Sequence, residues 1–149
     1  MARVEFLIPG DPDTQTGGYA YDRRVALGLP RFGWYPRVHR LHHSFPDPTQ
    51  GALAHARKVL GGLPTGSVTL IDGLALGVMP DLVHAQARRL RLVALVHHPL
   101  AAETGLSESR ARVLHRSETS ALAAARLIVV TSRHTAGLVA GMGVPRGRI

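Results

Sequence analysis

The sequence predicts an α/β fold, a doubly wound parallel sheet with helices on both faces. Three observations predict it. Short, largely apolar runs recur: "VEFLI" (Val4–Ile8), "VTLI" (Val68–Ile71), "LVALV" (Leu92–Val96) and "LIVV" (Leu127–Val130). Strands buried on both faces read this way. Stretches with helical spacing separate the runs, which is the pattern of βαβ units. The strand ends, moreover, carry side chains able to do chemistry: His42-His43, Asp72-Gly73, His97-His98 and Thr131-Ser132, beside a plain Pro9-Gly10. In open parallel sheets ligands gather at the carboxyl ends of the strands.

Each element follows in order. Val4–Ile8 is the first strand and stops at Pro9-Gly10. After the loop "GDPDTQTGG", Tyr19–Leu29 has helical spacing, with Tyr21, Val25 and Leu29 near one face; Gly28 and Pro30 end it. Trp34–Leu41 alternates and suits a second strand, although Pro36 weakens its first half. "HHSFPDPTQ" is loop, and Ala52–Leu60 is a helix closed by Gly61-Gly62. Val68–Ile71 is the third strand. A helical stretch from Leu74 to Arg89 is broken by Gly77 and Pro80. Leu92–Val96 is the fourth strand. Ser107 caps a long helix reaching Ala125, with Glu108 in the first turn where the helix dipole favours an acid. Leu127–Val130 is the fifth strand, and Thr131-Ser132 caps a last helix, His134–Met142.

A chain of 149 residues suits one domain with a real core. Hydrophobic residues at 45% against 19% charged exclude a disordered chain. The absence of cysteine excludes disulfides and thiolate metal sites. No apolar stretch approaches bilayer length, and the N-terminal run is too short for a signal peptide, so a cytoplasmic protein is expected. The net charge of +8 rests on seventeen arginines and one lysine, Lys58. Such a balance suits phosphate, nucleic acid or an anionic lipid surface. The arginines are scattered, and aromatics at 5% give none of the interleaving that stacks bases. Specific nucleic-acid binding is not expected.

The candidate site residues come from the loops after the strands. Gly17 and Gly18 precede the first predicted helix, and glycine lets backbone N–H groups approach a phosphate at a helix N-terminus. The dinucleotide fingerprint and the P-loop lysine are both missing, so no standard NAD or ATP site is expected. Asp72 can hold a substrate hydroxyl or cap the next helix. A neutral His97 can accept a proton or bond a sugar hydroxyl, and Glu103 can orient an imidazole or stay solvated. His39, His42 and His43 have metal-like spacing, but at a strand end they project differently, and no metal is expected. His134 reads as an exposed helix position.

Four segments together resemble a known family: "TGGYAYDRRVALGL", "LIDGLALG", "LVHHPLAAETGL" and "ARLIVVTSRHTAGLVAGMGVPRGRI". In this order they are similar to the N-terminal domain of the GT4-type glycosyltransferases of the GT-B fold, across nearly the whole chain. The resemblance implies a Rossmann-like domain, residues 1–149, forming the acceptor-binding half of a retaining transferase. Its partners would be a nucleotide-sugar donor, a sugar or lipid-linked acceptor, and an anionic membrane surface at which the basic protein docks. By resemblance Gly17 and Gly18 reach the donor diphosphate, His97 lies near the reacting sugar as the catalytic residue, and Asp72, His98 and Glu103 contact substrate. Relatives often have an acid where this chain has His98. Ser132 matches a serine whose role is mostly structural, and neither a metal nor another cofactor is implied. The domain binding most of the nucleotide sugar, with its Glu-x7-Glu signature, is absent from this chain. The fragment alone is therefore expected to be inactive. The rival readings are a non-catalytic α/β binding or oligomerisation module and a basic polyanion binder.

Overall fold

The computed structural model describes residues 1–11, 13–15 and 17–149. Five strands form a single parallel sheet: β1 (Ala2–Pro9), β2 (Trp34–Leu41), β3 (Val68–Asp72), β4 (Arg91–Val96) and β5 (Leu127–Val130). Their spatial order is β2-β1-β3-β4-β5, every neighbouring pair parallel. The chain leaves β1 toward β2 on one side, then returns to β3 on the other. The order therefore reverses between β1 and β3, and at such a reversal the loops diverge and leave a crevice.

Among the described residues six α-helices flank the sheet: α1 (Gly17–Gly28), α2 (Gln50–Gly62), α3 (Gly73–Leu76), α4 (Pro80–Gln86), α5 (Glu108–Ala124) and, after the last strand, α6 (Arg133–Gly141). They divide the core in two. Val4, Phe6 and Ile8 of β1, with Leu70 and Leu95, meet Tyr21, Val25 and Ala26 of α1. Leu7, Ile71, Ala94, Val96 and Ile128 point the opposite way, onto α2, α4, α5 and α6. Alternate residues of each strand thus feed opposite layers, which is why the strands are apolar on both faces. The Rossmann-like, doubly wound expectation holds.

The differences lie at the element ends. α1 begins at Gly17, so the glycine pair forms the first helical turn and not a loop before it. Gly61 and Gly62 likewise lie within the last turn of α2. Pro36 is tolerated because β2 is the outermost strand, where a missing N–H breaks no central ladder. The stretch broken by Gly77 and Pro80 becomes α3 and α4. Thr49, Asp72, Ser107 and Ser132 each cap a helix by accepting a backbone N–H. Among the described residues no helix is long and apolar enough to cross a membrane.

Candidate functional site at the carboxyl edge of the sheet

Three side chains from distant parts of the chain meet at the carboxyl ends of β3 and β4. Asp72 ends β3, His97 follows β4, and Asp22 comes down from α1. His97 Nε2 lies 2.9 Å from Asp22 Oδ1 and 3.3 Å from Asp72 Oδ2. Both carboxylates are buried, while the His97 side chain keeps 20% exposure. Asp72 also uses its other oxygen, Oδ1, to accept the Leu74 N–H at 2.8 Å. Asp72 therefore caps α3, one of the two readings open in the sequence, while its second oxygen reaches His97.

The scaffold around His97 is dense. The edge of its ring meets Tyr21, with centroids 5.4 Å apart and planes at 85°. Its carbonyl accepts the hydroxyls of Thr131 and Thr135, at 3.2 and 3.4 Å. Ser132 caps α6 and bonds Thr135, a structural role. Four βα connections therefore fix one imidazole.

Charge follows from this geometry. Burial opposes a positive His97, but the hydrogen bonds and charges of Asp22 and Asp72 outweigh it and push its pKa up to about 9. Burial pushes the Asp22 carboxyl up to about 7, with Asp72 acting in the same sense and His97 against it. The cluster therefore holds its protons near neutral pH. The two buried acids thus favour the protonated imidazole, the form that donates hydrogen bonds. Among the described residues both hydrogen bonds to its ring use Nε2.

The same three groups could hold a cation, since Asp22, Asp72 and His97 each offer a ligand atom, all within 4.8 Å of one another. Asp22 Oδ2 is buried without a hydrogen-bond partner.

The cluster opens into a cleft of about 540 Å³. Gly18, Asp72, His97, His98 and Glu103 line it, five of the six residues singled out in the sequence; Tyr19 joins them. Gly18 lies close enough that a methyl group on it would stand 3.9 Å from His97 Cδ2. Gly17 starts α1 and shares its N-terminus with Gly18. Burial, Asp72 and Asp22 raise the pKa of the Tyr19 phenol. Glu103 is exposed at the mouth; the acids that orient His97 are Asp22 and Asp72.

Among the described residues His39, His42, His43 and His134 form no three-residue ligand group. His39 turns to the buried Glu5, 2.6 Å away. His42 bonds Ser44 and stacks on His43. His134 is an exposed residue of α6. Behind the cleft, Glu118 of α5 is buried and accepts the Leu100 N–H at 2.8 Å, tying down the turn after His97. Burial pushes its pKa up to about 7, against that hydrogen bond and the charge of His98.

Sequence reasoning missed Asp22 and Glu118. Comparison of the chain with protein-family models and with curated proteins finds no match.

Proposed function

We propose that this domain is the acceptor-side half of a retaining glycosyltransferase, which moves a sugar from a nucleotide-diphosphate sugar to an acceptor. One observation carries the reading: the four segments that resemble that family meet around one imidazole. "TGGYAYDRR" brings Gly18, Tyr19 and Asp22; "LIDG" brings Asp72; "LVHHPLAAETG" brings His97, His98 and Glu103; "TSRHT" holds the His97 carbonyl.

The roles follow from chemistry. Gly17 and Gly18 present N–H groups at the positive end of α1 to the donor diphosphate, whose charge grows as the bond breaks. His97, held as a cation, donates from Nδ1 to a hydroxyl of the transferred sugar or of the acceptor. Asp22 and Asp72 keep that proton in place. His98 and Glu103 meet the acceptor at the mouth. A second domain holds the nucleotide, and the surplus positive charge draws the protein to an anionic membrane bearing the acceptor. Alone, the domain binds without turning over.

Titration of the labelled domain with nucleotide-diphosphate sugars and simple glycosides, followed by backbone amide NMR, tests this. Shifts are expected at residues 17–19, 72–74 and 97–103. If none of these ligands moves those amides, the reading fails.

A further inference from the structure

The lining of the cleft mixes two chemistries. Gly18, Asp72 and His97 contribute to it, and so do the apolar side chains of Leu74, Leu100, Leu106 and Leu114, with Pro46 and Pro99. A sugar needs a donor or acceptor for each hydroxyl it buries, or it loses affinity. These leucine and proline side chains offer none. Of the polar residues that line the cleft, Arg110 is already paired with Asp47. Leu100 and Leu114 are themselves buried, and Leu74 and Leu106 are half-buried.

The volume agrees. A cleft of about 540 Å³ lies in the range that encloses a drug-sized ligand, so room remains beyond one sugar ring. Branched aliphatic side chains offer no flat face for a ring to stack on, so the leucines favour an aliphatic chain. Glu118 bonds Leu100 N–H from behind, so the wall is anchored before any ligand arrives.

We infer that the acceptor is an amphiphile: its hydroxyl head sits at His97, and its aliphatic chain lies on the Leu74–Leu100–Leu106–Leu114 wall. The inference rests on the transferase reading for its head group, but the apolar wall stands without it.

Calorimetric binding of alkyl glucosides of increasing chain length, kept below their micellar concentrations, tests it against glucose, phenyl glucoside and alkanols of matched length. Affinity should rise roughly fourfold per buried methylene until the wall is filled. Leu106→Gln and Leu74→Gln should each flatten that rise, while Leu27→Gln, a control at an exposed position of α1, should not. Chain-length independence in the wild type overturns the inference. So does an unchanged slope in both wall variants, phenyl glucoside binding as tightly as the longest chain, or no binding by any member of the series. Alkanols binding as tightly as the matched glucosides would leave the apolar site standing and sink the sugar reading instead. Head-group discrimination without chain-length dependence would do the reverse.

Discussion

His97 Nε2 sits 2.9 Å from Asp22 Oδ1, a carboxylate with no solvent exposure that lies 75 residues away in sequence. This contact links the first helix to the end of the fourth strand and sets the charge of the site. Replacing Asp22 by Asn keeps an oxygen in place but removes the charge. The His97 pKa should then fall from about 9 toward its ordinary 6.5. An NMR titration of the imidazole checks this; an unmoved midpoint would mean that Asp72 alone holds the proton.

Removing the histidine tests the same contact from the other side. His97→Ala leaves Asp22 and Asp72 buried together without a positive partner. Truncating one member of a buried ion pair costs about 3 kcal/mol or more. Adding Asp22→Asn should recover part of that loss, because it removes one of the two stranded charges. Denaturant melts of the two single variants and the double variant give the coupling. Strict additivity would show that the groups do not interact.

The fold was legible because the strands carry their own signature, and every expected strand lies within an observed one. The chemistry was legible only where it sits on loops. Asp22 looks like surface charge beside Arg23 and Arg24, and Glu118 like a solvated residue of a polar helix. Their spacing carried the signal: Asp22 shares a helical face with Tyr19 and Ala26, and Glu118 with Leu114, Ala121 and Leu122. An acid inside an apolar stripe points into the core. What it meets there depends on the tertiary fold, which periodicity cannot supply. The charge of His97 was illegible for the same reason, since it depends on an acid that only folding brings near.

Both groups make stability depend on pH in the same sense. The folded pKa of His97 lies above its unfolded value, so its contribution is full below 6.5 and is lost as pH rises through about 9. Glu118 also holds its proton more tightly when folded. Its buried charge therefore weakens the fold progressively from pH 4.5 to about 7, by on the order of 3 kcal/mol. Glu118→Gln keeps an acceptor for the Leu100 N–H without the charge. Chemical denaturation across this range should show the variant gaining on the wild type as pH rises to about 7, then keeping a constant lead. A lead that shrinks with rising pH would contradict the assignment.

Two glycines should separate packing from ligand binding. A methyl group at Gly77 would stand 2.7 Å from Leu100 Cδ1 and 3.1 Å from the Gly73 carbonyl oxygen, so the turn behind the cleft must shift. Gly77→Ala should cost about 1–3 kcal/mol. At Gly18 the nearest atom is His97 Cδ2, at an ordinary 3.9 Å, and the residue lies in the first turn of α1. Gly18→Ala should leave Tm unchanged or raise it slightly, because alanine is the better helix residue. Its added methyl would stand beside His97, in the cleft where the proposed diphosphate meets the helix N-terminus. Binding of a nucleotide diphosphate should therefore weaken at least tenfold while the fold holds. If Gly18→Ala melts like wild type and binds the diphosphate equally well, the diphosphate does not sit at the start of α1.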